Sequence, residues 1–289
     1  MTLLGAADIR SLATAAGIRP SKARGQNFVV DGNTIRRIVR LADLPANGVV
    51  LEVGPGLGSL TLGLLAAGHR VVAVEIDPAL ADQLPATVAE FLPAATQRTA
   101  VITADAGTVG HEVAECFGAP TALVANLPYN VAVPVLLHCL AEFPSLQRSL
   151  VMVQLEVADR LAAPPGSRDY GVPSVKAAWF GEVKRVGTVP AAVFWPVPRV
   201  ESGLVQVQRR AAPATTASRA EVFRLIDLLF AQRRKMVRAV LGGQLGREVA
   251  TTALAAADID PTVRPENLAL TDFCRLAESI PPQQPSTLG

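Results

Sequence analysis

Val49-Val-Leu-Glu-Val-Gly-Pro-Gly-Leu-Gly58 decides the fold of this chain. Val49 to Val53 is short, β-branched and mostly apolar, which reads as a buried strand. Glycines at 54, 56 and 58 make a turn whose backbone can pass close to a ligand. From Ser59 to about Ala67 the residues suit a helix. Strand, glycine-rich turn and helix form the first half of a doubly wound α/β unit. A second strand, Arg70 to Glu75, ends in an acid 21 positions after Gly54. A carboxylate at that place can accept both hydroxyls of a ribose.

The pattern then repeats outward. A third strand, Thr99 to Thr103, leads to Asp105, placed to bond an adenine amine. A fourth, from Thr121, delivers Asn126-Leu127-Pro128-Tyr129. A helix over 133–141, a fifth strand from Ser149 to Gln154 and a helix start at Gln154–Leu161 follow. Two more strands, near 178–188 and 203–209, flank the Pro-rich stretch Phe194–Ser202, which offers Phe194 as an aromatic ring. The expectation is an α/β, Rossmann-like, mostly parallel sheet of seven strands, with ligands at the carboxyl ends of the strands.

The flanks read differently. Residues 1–20 show no strong period and are expected to be a mobile arm ending at Pro20. Lys22-Ala-Arg-Gly-Gln-Asn-Phe28 is basic and leads to a short helix after Asp31, with Ile35, Ile38 and Val39 on one face. The loop Ala163–Tyr170, rich in Pro and Gly, is expected to be mobile and near the site. Ala211–Ala217 reads as a linker. A capping box, Ser218 with Glu221, opens a helix carrying Val222, Ile226, Leu229, Phe230, Val237 and Leu241 on its buried side. Its second half bears Arg233, Arg234, Lys235 and Arg238. Breakers at Gly242, Gly243, Pro261 and Pro265 divide the rest into a small all-helical domain, and Pro281–Gly289 reads as a disordered tail. The expected division is 1–210, with 1–30 as a basic arm and cofactor-closing loop, and 211–289.

Composition narrows the function. The chain has 289 residues, half of them apolar, enough to bury a sizeable core. No apolar run approaches a membrane span, and the amino end has no signal-peptide pattern. Three separated cysteines and three scattered histidines make neither a disulfide framework nor a metal site, so the expected compartment is the cytoplasm. Net charge is +2, but residues 1–40 carry +5, residues 41–170 carry −8 and residues 171–210 carry +4. Basic flanks around an acidic middle suit a polyanionic partner.

Asn126-Leu127-Pro128-Tyr129 carries the chemistry. Pro128 fixes φ and removes a donor, so the strand turns sharply. One amide, one ring and a bent row of carbonyls then share a rim. They suit a planar base with an exocyclic amine: the Asn oxygen and a carbonyl of Leu127 or Pro128 accept from the amine, and Tyr129 stacks on the base. The glycine turn identifies the second ligand. Dinucleotide folds use G-x-G-x-x-G to hold a pyrophosphate on a helix N-terminus. Here the spacing is G-x-G-x-G with Pro55 inside, and the Glu52 carboxylate is unsuited to a pyrophosphate but suited to the ammonium or sulfonium of S-adenosylmethionine.

These stretches together resemble a known family. K-x-x-G-Q-N-F (22–28), E-V-G-P-G-L-G-S-L-T (52–61), V-E-I-D (74–77), A-D-A (104–106), N-L-P-Y-N (126–130), Q-L-E-V-A-D-R-L (154–161), Y-G-V-P-S-V (170–175), F-W-P-V-P-R-V-E-S (194–202) and L-F-A-Q-R-R-K (229–235) are similar, in order, to the ribosomal RNA adenine N6,N6-dimethyltransferases. The resemblance implies S-adenosylmethionine held by Asn27, Val29, Gly54, Gly56, Glu75, Asp105 and Asn126. It gives the target base to Asn126 and Tyr129, with Phe194 closing the stack; Leu127 and Pro128 join them through the carbonyls of the turn. The basic residues Lys22, Arg24, Arg233, Arg234, Lys235 and Arg238 are expected, from their charge, to contact the RNA. The implied substrate is two adjacent adenosines near the 3′ end of 16S rRNA, in the small ribosomal subunit or its precursor, with the enzyme a monomer and no metal required. Ala132, Pro173 and Ala239 depart from the family's usual residues. The rivals are a 23S rRNA methylase of the macrolide-resistance type, a ribosome-assembly factor whose methylation is secondary, and a dinucleotide oxidoreductase on the same fold.

Overall fold

A computed structural model describes residues 3–20, 26–46, 48–128 and 130–281. Lys22, Arg24, Tyr129 and the tail from 282 lie outside these residues. In chain order the helices are α1 (Ala6–Ala15), α2 (Gly32–Ala42), α3 (Ser59–Ala66), α4 (Pro78–Phe91), α5 (Glu112–Phe117), α6 (Ala132–Glu142), α7 (Leu155–Leu161), α8 (Val172–Ala178), α9 (Arg219–Phe230), α10 (Val237–Leu245), α11 (Arg247–Ala256) and α12 (Leu270–Ser279). The strands are β1 (Phe28–Val29), β2 (Val49–Val53), β3 (Arg70–Glu75), β4 (Thr99–Thr103), β5 (Ala122–Asn126), β6 (Arg148–Gln154), β7 (Gly181–Val189), β8 (Phe194–Trp195) and β9 (Ser202–Arg209).

Seven strands form one sheet in the order β4-β3-β2-β5-β6-β9-β7. The five from β4 to β6 run parallel, and β9 joins antiparallel to β6. All five residues of β2 are buried, because helices cover both faces of a parallel sheet. The order reverses between β2 and β5, the switch point at which such sheets open a crevice at their carboxyl edge. A separate two-stranded ribbon pairs β1 antiparallel with β8, Phe28 opposite Trp195 and Val29 opposite Phe194.

The chain divides into two compact units. The first comprises Met1–Asp159 and Glu182–Arg209, and its core holds the sheet side chains with Leu62, Leu64 and Leu65 of α3. The second comprises Arg160–Gly181 as well as the residues from Arg210. The sequence reading placed Arg160–Gly181 in the first domain, yet Tyr170 is buried in the second unit's core and its hydroxyl donates to Leu268 O at 2.8 Å. Gly166 N likewise donates to Glu266 O at 2.7 Å, so the 163–170 loop is tied into that unit.

Two further expectations are corrected. Residues 6–15 are a helix and not a mobile arm: Ile9, Leu12 and Ala13 share one face and are buried in the first unit's core. The single helix expected from Ser218 ends at Phe230, and a turn at 231–236 separates it from α10. Both helices keep their apolar side inward, Val222, Ile226 and Leu229 on α9 and Val237 and Leu241 on α10, so the apolar period ran on in phase across the break.

Candidate active site

β2 ends at a turn whose three glycines, 54, 56 and 58, all have positive φ, of 67°, 56° and 94°. Gly56 is the most constrained. A Cβ there would lie 2.8 Å from Phe28 Cε1, so any side chain would meet the ring as well as an unfavourable backbone region. Gly54 donates to Val74 O, which locks the turn to the neighbouring strand. On its other side it faces Asn126 O and Pro128, so the ends of β2 and β5 abut.

The cavity beside this turn has a volume of about 510 Å³. Its walls include Asn27, Phe28, Val29, Gly54, Gly56, Glu75, Asn126 and Pro128. Glu75 is nearly buried at the end of β3, with Oε2 accepting from Gly56 N at 3.2 Å and Oε1 from Asp77 N at 3.1 Å. Burial pushes its pKa up, partly offset by those amides. Glu52 is 1% exposed, and its Oε2 has no hydrogen-bond partner. Burial pushes its pKa up to about 8; Thr61 pulls it down and the Glu75 charge raises it further. The Thr61 hydroxyl meets no hydrogen-bond geometry with the carboxyl, so its pull is weaker than the burial it opposes. A buried carboxyl with one orphaned oxygen on a cavity wall fits a cationic group. With the Glu75 carboxyl oxygens beside it as acceptors for hydroxyl groups, the acceptor set fits a nucleoside with a cationic tail, as S-adenosylmethionine has.

Asn126 ends β5, and its Nδ2 donates to Asn27 O at 3.1 Å. That bond commits one of the amide's two N–H donors to the segment before β1 and fixes which end of the amide is the oxygen acceptor. Two other bonds seat the same segment: Ser59 Oγ donates to Val29 O at 2.7 Å, and Val30 N to Val193 O at 2.8 Å. Within the turn, Leu127 is buried, and its N donates to Met152 O at 3.0 Å. Pro128 O already accepts from Val131 N at 3.2 Å.

The remaining candidates are placed as follows. Phe194 is 2% exposed, packed in the core beneath the ribbon and away from the cavity walls. Its register opposite Val29 turns the ring inward, while its neighbour Trp195 stacks on Phe28. Asp105 also stands off the cavity. It is exposed, and its Oδ1 accepts from Gly107 N at 2.8 Å in a local turn. Residues the sequence reading missed include Phe28 and Ile76 on the walls. Ile76 is 66% exposed, and its signal was an apolar residue directly after the ribose-type acid. In the second unit, Arg233 is engaged internally, by Glu266 at 2.6 Å and Arg168 O at 2.7 Å. Arg234, Lys235 and Arg238 are exposed. Among the described residues there is no metal-ligand cluster and no helix long and apolar enough to cross a membrane.

Comparison with known proteins places the chain in a family. The family model described as ribosomal RNA adenine dimethylase matches residues 19–281. A protein of Kineococcus radiotolerans named ribosomal RNA small subunit methyltransferase A is 62% identical over 282 residues, 97% of this chain and 92% of that protein. Its namesake in Streptomyces coelicolor is 60% identical over 279 residues, 96% of each. Among solved structures, the 23S rRNA methyltransferase ErmE superposes with a TM-score of 0.63 at 28% identity, covering 88% of this chain and 99% of that one. A dimethyladenosine transferase from Plasmodium falciparum gives 0.73 at 22% identity, covering 86% and 95%, and so shares the fold.

Proposed function

The chain belongs to the ribosomal RNA adenine dimethylase family, and from that premise we propose that it transfers methyl groups from S-adenosylmethionine to N6 of two adjacent adenosines near the 3′ end of 16S rRNA. The observation that carries this reading is the Asn126 amide, oriented by Asn27 on the wall of a cavity that also holds Gly54, Glu52 and Glu75.

S-adenosylmethionine, when bound, supplies a methyl group already activated on a sulfonium. Asn27, Val29 and the Gly54 and Gly56 backbone would hold it, Glu75 would take the ribose hydroxyls, and Glu52 would face the positive charge. The exposed Ile76 offers an apolar face to a purine. Asp105, with one oxygen bound in its turn, keeps the other for the adenine amine.

Adenine N6 is a poor nucleophile because its lone pair is delocalised into the ring. Asn126 Oδ1 and a turn carbonyl accept its two N–H bonds and hold the amine out of plane, which localises the lone pair. Leu127 O is the favoured second acceptor, since Pro128 O already takes Val131 N. Tyr129 stacks on the base. The contribution is positioning and electrostatics, and the methylated ammonium is acidic enough to lose its proton to water. Phe194 acts beneath the ribbon, supporting the strand that faces the base. An unpaired base is splayed out at small cost, which favours RNA loops over a duplex.

Lys22, Arg24, Arg234, Lys235 and Arg238 contact the RNA backbone, with the second unit, Arg160–Gly181 together with the residues from Arg210, as an RNA-binding domain. The enzyme works as a monomer in the cytoplasm during small-subunit biogenesis. A 23S rRNA target is the second reading, raised by the likeness to ErmE. The 28% identity of that match against 60–62% to the small-subunit namesakes favours the small subunit. The test is incubation with labelled S-adenosylmethionine and under-methylated small or large subunits, followed by nucleoside analysis. N6,N6-dimethyladenosine in small-subunit RNA is expected; label confined to large-subunit RNA overturns the reading.

A further inference from the structure

One wall of the cavity is built on a very short strand. β1 has two residues and, among the described residues, pairs with β8 alone, itself two residues long. A ribbon of that length has little backbone pairing to hold it, so its cross-strand side chains decide whether it persists. Phe28 and Trp195 are the directly opposed pair, with ring centroids 6.4 Å apart and planes 28° from parallel. Phe28 lines the cavity and lies against Gly56, whereas Trp195 is half-buried and does not line it. One residue before Phe28, Asn27 O holds the Asn126 amide.

We propose that Trp195 is a positioning residue of the methyl-transfer site, seating Phe28 over the glycine turn and thereby fixing the Asn27 carbonyl that orients Asn126. This rests on the proposed function, since it takes Asn126 as the residue that holds the reacting amine. Trp195 touches neither the cavity nor the reacting atoms; its effect passes through one ring contact and one strand. Removing the ring loosens β1, so both cofactor binding and the orientation of the amide suffer. Replacing it with another flat ring retains most of the effect.

The experiment compares wild type, Trp195→Ala and Trp195→Phe by calorimetric titration with S-adenosylmethionine and by single-turnover methyl transfer at saturating cofactor. Trp195→Ala is expected to bind cofactor up to about fivefold more weakly, the range of a cross-strand aromatic pair. It is also expected to transfer methyl roughly tenfold more slowly through lost orientation, with Trp195→Phe close to wild type. In a Trp179→Phe background Trp195 is the sole tryptophan, and its emission is expected to change on addition of S-adenosylmethionine. Trp195→Ala with wild-type affinity and rate, or lowered thermal stability alone, overturns the proposal, as does an emission unmoved by bound cofactor. If the alanine variant does not fold, the phenylalanine variant and the emission still decide. A wild type that neither binds S-adenosylmethionine nor methylates subunits instead overturns the proposed function.

Discussion

Asn126 Nδ2 donates to the backbone carbonyl of Asn27, a residue 99 positions earlier in the chain, at 3.1 Å. One bond thus sets the orientation of a side-chain amide at the end of β5 and fastens the strand that walls the cavity. Asn126→Ala removes both functions. Single-turnover transfer to under-methylated small subunits should fall by about 10²–10³, the usual cost of losing a preorganised partner of the transition state. The far-UV spectrum should be unchanged. A near-normal rate would move the catalytic centre away from this turn.

Tyr129 is expected to act through its ring. Tyr129→Ala should lose about 1–3 kcal/mol of base stacking, read as weaker RNA binding and slower transfer, while Tyr129→Phe keeps much of the rate. If the two variants are equally inactive under single turnover, the hydroxyl takes part in the chemistry.

Glu75 is tied to the glycine turn by the hydrogen bond it accepts from Gly56 N. Glu75→Ala should weaken S-adenosylmethionine by about 1–3 kcal/mol by leaving buried polar groups unpaired. Calorimetry is the check, and unchanged affinity would remove Glu75 from the site.

Glu52 predicts a pH dependence of stability. Its pKa lies near 8 in the fold against a usual 4.5, so the folded protein holds this proton more tightly than the unfolded chain. Below the usual value both states are protonated and the effect vanishes. As pH rises from there toward 8, the unfolded chain releases its proton first, and stability falls. Glu75, also raised by burial, acts in the same direction. Cofactor-free wild type should therefore lose stability across this window, by up to about 1.4 kcal/mol per pH unit for one group. Glu52→Gln should flatten the profile measured by thermal melting; parallel profiles would mean that Glu52 is already ionised in the fold.

The basic turn separates into two roles. Neutralising Arg234, Lys235 and Arg238 together should weaken subunit binding and reduce its salt dependence, with cofactor affinity intact. Arg233 is tied to Glu266 and Arg168 O, and Arg233→Ala should instead cost up to about 1 kcal/mol of stability, as partly exposed ion pairs do. A triple variant with the wild-type salt slope would place the RNA elsewhere.

The local parts of this molecule are legible in its sequence. β2, its glycine turn and Glu75 follow from residue type and spacing within about thirty positions, because a parallel α/β unit is specified locally. The cavity accordingly gathers Gly54, Gly56, Glu75 and Asn126. What escaped was set at long range or by phase. The apolar rhythm from Val222 to Leu241 reads as one helix because the turn at 231–236 happens to preserve it. The burial of Phe194 and the half-burial of Trp195 depend on which residue of β8 opposes which residue of β1, a register that no local period records. Asp105 bonds the amide two residues on, a short-range competition that polar side chains often enter. α1 carried its signal in Ile9, Leu12 and Ala13, diluted by surrounding alanines.

The β1–β8 ribbon also has a consequence in time. Synthesis delivers the glycine turn, Glu75 and Asn126 before residue 130, yet the strand that seats Phe28 is made only when the chain reaches Trp195. Between them the chain leaves the first unit at Arg160 and returns at Glu182. Closing so long a loop carries an entropic cost that must be met before its contacts form, and domains emerging from the ribosome fold from the amino end first. A nascent chain therefore holds its chemical groups long before it holds the wall that aims them. An enzyme whose substrate belongs to the machine that makes it lacks this wall until about two thirds of its own chain has been made.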